Sequence, residues 1–361
     1  MSNIMVGLSG GVDSSVAASR LVEDGHQVTG LFMKNWEEDD TADYCSATED
    51  LKDAEETCQL LDIELKTINF SREYWERVFT GFVDEYRKGR TPNPDIVCNR
   101  EIKFREFLDW AVSLGADCIA TGHYARIDNA RGNFKLLKGL DDNKDQSYFL
   151  YTLNQETLSR SCFPVGDMTK QAVRERARDL SLPVHDKKDS TGICFIGERK
   201  FMDFLKSYLP SDPGKISTLD GQTVGQHHGA CYYTIGQRQG LGIGGGGEPW
   251  YVARKDVEKN LIYAVQGKQH PALLSSSLTA GDLHWISGKP PETPIHCMAK
   301  ARYRQPDQRC RVSSAARRTI KVTFDKPQWG VATGQSIVFY DNETCIGGGV
   351  IHQTYNQDRI E

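Results

Sequence analysis

Several common devices are missing from this 361-residue chain. None of its ten cysteines stands in a C-x-x-C pair, which disfavours a zinc ribbon or an iron–sulfur site built on that spacing. No G-x-x-x-x-G-K-S/T occurs, and no G-x-G-x-x-G follows a strand, so the two commonest nucleotide fingerprints are absent. No apolar run approaches membrane-spanning length. The opening residues "MSNIMVGLSGG" lack the basic region, long apolar segment and cleavage site of a signal peptide, so a cytoplasmic protein with reduced thiols and no membrane partner is expected. His227 and His228 are adjacent, which suits them poorly to one metal. The net charge of −5 argues against indiscriminate nucleic-acid binding over the whole surface.

What is present begins at residues 9 to 15, "SGGVDSS", directly after the apolar run "NIMVGL". A short buried strand at 4–8 runs into a turn that Gly10 and Gly11 can take without a Cβ penalty. Val12, Val16, Ala17, Leu21 and Val22 then recur at helical spacing. The N–H groups of a first helical turn have no intrahelical partners and carry partial positive charge, so a glycine-rich approach flanked by Ser9, Ser14 and Ser15 suits a phosphate or pyrophosphate. The blander reading is a good helix cap and nothing more. Without a P-loop lysine, simple γ-phosphate hydrolysis is disfavoured.

The first half alternates short apolar strands (4–8, 26–33, 63–70 and 117–122) with amphipathic helices (near 12–24, 47–61, 71–88 and 98–114). Ser46 and Glu49 form a capping box for the second helix. This alternation predicts an α/β unit, a Rossmann-like parallel sheet covered on both faces, with ligands beyond the carboxyl ends of its strands. "SGGVDSS", "MKNW" and "TGHYAR" all fall there. After about residue 205 the pattern becomes short strands and turns, with Asp220-Gly221 as a hairpin signal and "GLGIGGGGEPW" (240–250) as a mobile loop. The proline cluster in "GDLHWISGKPPETP" reads as a domain boundary. The expected domains are 1–205 (nucleotide-binding and catalytic), 206–280 (a small central β domain) and 281–361 (a C-terminal β-barrel).

Two cysteines keep unusual company. Cys98 follows "TPNPD", where two prolines fix an extended loop, and is expected in the first turn of the next helix, where the dipole would stabilise its thiolate. Asp95 is placed to polarise or deprotonate a bound group, or to cap that helix. Cys194, in "KKDSTGICFIGERKF", reads as an accessible thiol in a partly basic loop. Cys58 and Cys118 read as core residues. Two reactive thiols beside a nucleotide site suggest sulfur chemistry, one carrying a sulfur and the other resolving the bond. Between Lys300 and Lys321 the chain carries Lys300, Arg302, Arg304, Arg309, Arg311, Arg317, Arg318 and Lys321 against Asp307 alone, with Tyr303 among them. Such a segment fits an RNA surface, or a solvated strand pair with alternating arginines.

Together, "SGGVDSS", "GLFMKNW", "GRTPNPDIVCNREIKF", "ATGHYAR", "NKDQSYFLY", "KDSTGICFIGERKF" and "RYRQ" resemble the tRNA-specific 2-thiouridylase family of PP-loop ATP pyrophosphatases, through nearly the whole chain. The loop alone is shared with synthetases of small molecules, but the two cysteine motifs are not. The resemblance implies that ATP, with Mg²⁺, adenylates the 2-oxygen of the wobble uridine of tRNAs of the Lys, Glu and Gln type. A persulfide sulfur from a sulfur-carrier or cysteine desulfurase donor protein then gives 2-thiouridine. It implies Cys194 as persulfide carrier, Cys98 as nucleophile, a transient Cys98–Cys194 disulfide, and Asp95 as acid or base. ATP contacts fall on Gly7, Leu8, Ser9, Gly10, Gly11, Val12, Asp13, Ser14, Met33 and Gly122, with Asp13 as a candidate Mg²⁺ ligand. Asn93, Pro94 and Asp95 match the target-base region, and His123, Lys144, Asp145, Gln146, Arg302, Tyr303 and Gln335 match tRNA contacts. Read without the resemblance, His123 is a core histidine, Met33 a core side chain and Lys144 a solvated charge. The alternatives are a PP-loop ligase acting on a small molecule, which the basic β-rich second half opposes, and a non-catalytic RNA-binding protein, which the intact Asp95, Cys98 and Cys194 oppose. Thiolation of another tRNA position through an iron–sulfur site is disfavoured by the missing C-x-x-C.

Overall fold

The computed structural model describes residues 1–36, 46–189, 201–315 and 318–356. Apolar residues at strand spacing form β1 (Asn3–Leu8), whose Val6 and Leu8 are almost fully buried, and β2 (Gln27–Lys34) and β3 (Glu64–Asn69) pair beside it in parallel. On the other side lie β4 (Cys118–Ala120) and a two-residue strand, Ser161–Cys162, giving five parallel strands in the order β3-β2-β1-β4-(161–162). Helices cover both faces: Met5 and Leu31 join one buried cluster with Phe107, and Val6, Leu8 and Phe32 join another with Ala54 and Cys58. Helix α1 (Val12–Glu23) starts where its periodicity places it, and helix α2 (Ser46–Leu61) starts one residue earlier than expected. The Ser46 capping box falls on a side chain outside the described residues.

Two further helices each continue through a stretch of wider, π-type turns. Ser71–Tyr74, Trp75–Phe79 and Thr80–Arg87 run on without a break as α3. Pro94–Cys98, Asn99–Glu106 and Phe107–Ser113 likewise form α4. Trp36, Tyr74, Phe79, Phe107, Tyr148 and Cys98 belong to one buried cluster that joins these helices to the rest of the molecule.

The second half is β, as its composition predicts. β8 and β9, numbered after the hairpin β5 (Ala125–Ala130), β6 (Asn133–Lys138) and β7 (Ser161–Cys162), are Gly214–Ser217 and Thr223–His227, joined at the expected Asp220-Gly221 turn with Gly221 at φ +94°. With β10 (Trp250–Asp256) and β11 (Leu261–Gln266) they make a four-stranded sheet. The barrel consists of β12 (Leu274–Trp285), β13 (Ile295–Lys300), β14 (Gln308–Ser314), β15 (Ile320–Trp329), β16 (Ser336–Asp341) and β17 (Thr344–Tyr355). They follow the order β12-β15-β14-β13-β16-β17, and β12 pairs β17 to close it. A boundary at 280/281 falls inside β12. Gly281 sits at an irregularity of the β12–β17 ladder, and the proline cluster belongs to the connection from β12 to β13 rather than to a linker. The hairpin β5–β6 leaves the parallel sheet and adds β6 to β17, so the N-terminal half extends the barrel sheet. Among the described residues no helix is long and apolar enough to cross a membrane.

Candidate functional site

The glycine turn is built as the sequence requires. Gly10 has φ +68°, and a Cβ there would lie 2.3 Å from the Asp50 carbonyl oxygen, so both backbone and space demand glycine. Gly11 is the N-cap of α1 and no side chain caps the helix, which leaves first-turn N–H groups without a capping partner. The serines hold the turn together. Ser14 and Ser15 are buried, and their hydroxyls donate to the Gly11 carbonyl at 3.1 and 3.0 Å. Ser9 N–H donates to Ser14 Oγ at 3.3 Å. These hydroxyls brace the turn, and the backbone amides of the first helical turn are the donors that such a bend can offer an anion. From the end of β4, Gly122 passes so close that a Cβ would lie 2.7 Å from Ser14 N; any side chain there would cover the amide. At the end of β2, the Met33 methyl lies 3.3 Å, and Phe107 3.2 Å, from where a Gly7 Cβ would be, an apolar floor beside the turn.

Charge enters from far along the chain. Asp13 Oδ1 accepts from Tyr124 Oη and from Lys170 Nζ, both at 2.7 Å. Lys170, near the start of α5 (Lys170–Asp179, numbered here after α4), also meets Asp189 Oδ1 at 2.7 Å. Burial alone would raise the Asp189 carboxyl; hydrogen bonds from Lys144 and Lys170, with their charges, hold it well below the usual carboxylate range. Burial and the Asp13 carboxylate push the Tyr124 hydroxyl up, so it stays a donor. Lys187 Nζ donates to the Gly10 carbonyl at 3.0 Å and to Asp50 at 2.7 Å, and pairs with Asp53. Burial opposes the Lys187 charge, but these two carboxylates raise its pKa. The loop without a P-loop lysine thus has two lysines beside it. Lys187 lies in a motif singled out above; nothing marks Lys170, 157 positions from its partner.

The second turn, at 89–98, corrects one expectation. Asn93 is the N-cap, its side chain accepting from Asp95 N at 3.2 Å, and Pro94 occupies the first helical position. Pro94 opens the helix, as proline at this position does, so only Pro92 belongs to the loop. Cys98 is therefore the fifth helical residue, beyond the first turn where the dipole acts most strongly, and it is fully buried. Asp95 is half-buried in the first turn. Cys194 lies outside the described residues, as does Arg317.

Of the positions matched to tRNA contacts, 144–146 and 302–303 come together, while His123 and Gln335 lie elsewhere. Lys144 Nζ meets Asp189 at 2.6 Å, and Gln146 Oε1 accepts from Tyr124 N at 2.9 Å. Asp145 is buried: its carboxylate accepts from Gly139 N at 3.2 Å, Ser147 N at 3.0 Å and Lys300 Nζ at 3.2 Å. Tyr303 packs on Phe149 with ring centroids 4.4 Å apart, so residues 144–149 and 300–303 form one junction. Arg302 donates to the Ile235 carbonyl at 3.0 Å and to the Gly330 carbonyl, and burial lowers its pKa. Gln335 donates to the Thr91 carbonyl at 2.7 Å. His123 is 7% exposed, with Nδ1 2.7 Å from Thr121 Oγ1. Burial, then Lys103, holds its pKa well below the usual histidine value, so it is a neutral core histidine in this state. In β14, Arg309 and Arg311 point outward between buried Cys310 and Val312, the alternating pattern of a solvated strand. Among the described residues no group of three or more His, Cys, Asp or Glu could hold a metal.

Comparison with known proteins adds the family. Residues 2–198 match the family described as tRNA methyl transferase HUP domain, residues 202–266 the PRC-barrel domain of the same group, and residues 275–351 its aminomethyltransferase β-barrel domain. A protein of Nitrosomonas europaea named tRNA-specific 2-thiouridylase MnmA is 59% identical, over 97% of this chain and 98% of its own. The protein of that name from Marinobacter nauticus is 57% identical, over 98% and 92%. Among solved structures, a 4-thiouridine synthetase–RNA complex with bound ATP aligns with 58% of this chain and 51% of its own at 15% identity and a TM-score of 0.35, too weak a likeness to bear on function. With the glycine turn, the Asn93–Cys98 turn and the barrel junction set in one chain that such relatives match from end to end, the chain belongs to the family of tRNA-specific 2-thiouridylases.

Proposed function

We propose that this protein installs sulfur at the 2-position of the wobble uridine of tRNAs of the Lys, Glu and Gln type, in the cytoplasm, using ATP and a persulfide sulfur delivered by a donor protein. The observation that carries the reading is the full-length identity of 59% to a 2-thiouridylase, on a chain whose α1 starts with an uncapped glycine turn. ATP supplies the activation: adenylation turns the 2-oxygen, a poor leaving group, into a good one and divides one hard step into two easier ones.

The chain's own residues then have distinct tasks. Gly7 to Ser14 would receive the phosphates through backbone amides, with Gly122 keeping the Ser14 amide uncovered and Met33 supporting the adenine. Lys170 and Tyr124 fix the Asp13 carboxylate. Asp13 would help to hold Mg²⁺ together with the phosphates, and the ion would neutralise phosphate charge during the reaction. Asn93, Pro94 and Asp95 would border the target base, Asp95 moving the proton. Cys98 would release the sulfur carried by Cys194, leaving a Cys98–Cys194 disulfide for reduction. Lys144, Tyr303 and the outward Arg309 and Arg311 would face the RNA. Asp145, Gln146 and Arg302 shape that face from within, through Lys300, Tyr124 and the Ile235 carbonyl.

Labelled ATP tests the reading. With wobble-uridine tRNA present, the protein releases AMP and pyrophosphate together with thiolated tRNA; release of ADP and phosphate, or nucleotide turnover indifferent to tRNA, contradicts it. Cys194→Ser is expected to bind ATP and tRNA normally yet to lose persulfide-dependent thiolation.

A further inference from the structure

The stretch leading into the Asn93 cap is held from outside the parallel-sheet half of the chain. Thr91 is buried, and each of its polar groups meets another part of the molecule. Its N–H donates to the Thr333 carbonyl at 2.8 Å, its carbonyl accepts from Gln335 Nε2 at 2.7 Å, and its hydroxyl lies 3.3 Å from Thr234 Oγ1. The barrel loop that supplies two of these partners is itself fastened: Gly334 N–H donates to the Ile351 carbonyl at 2.9 Å, and Ile351 N–H donates to the Gln335 carbonyl at 2.8 Å. Gly334 has φ +86°, and a Cβ there would stand 2.9 Å from Thr91 N, so glycine lets the two loops close on each other. Only Pro92 separates Thr91 from the Asn93 cap, and Pro94 follows it. Both prolines have fixed φ, so a shift at Thr91 passes to Asn93 and Asp95 instead of being absorbed between them.

We propose that Gln335 is a positioning residue: through Thr91 it fixes the turn that carries Asn93 and Asp95 and leads on to the buried Cys98, so the barrel sets the geometry of the reaction as well as offering a surface to RNA. This rests on the thiouridylase reading above, and it gives Gln335 a task other than the direct tRNA contact that the family resemblance implies. A misplacement of about 1 Å at a reacting group can cost about 100-fold in rate, so the loss of one such bond reaches the chemistry without touching it.

The test uses the full chain with Gln335→Ala and Gln335→Glu. Glutamate keeps the shape, but its carboxylate has no N–H for the Thr91 carbonyl, and the cavity of about 310 Å³ beside Gln335 and Arg302 leaves either side chain room. Both variants are expected to lower single-turnover thiolation at saturating tRNA by about 10-fold, with tRNA affinity across a salt series unchanged within about 2-fold. Hydrogen exchange at the amides of residues 91–98 quickens in both. Weaker tRNA binding with the saturating rate preserved overturns the proposal and makes Gln335 an RNA contact; unchanged exchange at 91–98 overturns it as well. Exchange is read without substrate, so it decides the clasp even if the wild type proves unable to thiolate tRNA, which would sink the functional reading instead. Thr234→Val, which removes only the hydroxyl contact, should show the same pattern at smaller amplitude, and its failure to change exchange at 91–98 overturns the proposal if the Gln335 variants do not fold.

Discussion

Two turns that lead into helices stand at this site, and they are opposites. At Gly10-Gly11 the chain starts α1 with no side-chain cap, leaving amides to meet an anion. At Asn93-Pro94 the first helical residue has no N–H at all and the second donates to Asn93, so few backbone donors are left and the turn presents side chains instead. On the proposed reading the first turn is a receptor made of backbone, and the second is a fixed mount for Asn93 and Asp95 that leads on to Cys98. They are also supported differently. Ser14, Ser15 and Lys187 brace the first within the parallel-sheet half, whereas Thr91 ties the second to the barrel.

This contrast can be broken from either side. The largest effect is expected at the mount: Cys98→Ser, nearly isosteric at a fully buried position, should cut thiolation by more than about 1,000-fold while ATP binding and unfolding midpoint stay close to wild type. Retained thiolation would remove Cys98 from the chemistry. At the receptor, Gly10→Ala forces a Cβ against the Asp50 carbonyl at positive φ; it should cost about 2 kcal/mol in stability and weaken ATP about 100-fold, measured by denaturation and by calorimetry. Lys170→Met removes the cation shared by Asp13 and Asp189, and ATP affinity is expected to fall about 10-fold while tRNA affinity holds. Asn93→Ala takes the cap from α4 and should cost about 1 kcal/mol in a urea titration.

The smallest effect is a pH slope. Burial depresses the folded-state pKa of His123 below its unfolded value of about 6.5, so below that pH the unfolded chain takes up a proton that the folded chain does not. Stability from this group is complete above about pH 6.5 and falls as the pH drops, by at most about 1.4 kcal/mol per unit. Urea unfolding at several pH values should show a shallower acid slope for His123→Gln than for the wild type; equal slopes would mean that the imidazole is not held neutral.

The receptor turn is legible in the sequence because everything that makes it is local: the apolar run of β1, two glycines and the helical spacing from Val12 occupy about twenty residues. Four of the five parallel strands were legible for the same reason; Ser161–Cys162, two residues long, carried no periodicity to read. The mount was only half legible. Proline after Asn93 signals a helix start rather than a loop, and reading it as loop placed Cys98 one turn too early. Contacts of long separation had no sequence signal: Lys170 to Asp13 across 157 residues, Gln335 to Thr91 across 244, and the pairing of β6 with β17. Gly281 and the prolines after it carried a misleading one, since an irregular ladder and a domain linker call for the same residue types.

The central claim is tested most directly by the mobility of glutamate, glutamine or lysine tRNA in a mercury-containing gel after incubation with this protein, ATP, Mg²⁺ and an active persulfide donor. The account predicts a retarded band that vanishes without ATP, with Cys98→Ser, or when the wobble uridine is replaced. No retardation, with tRNA bound and the donor shown to be active, would contradict it and favour a ligase that adenylates a small molecule.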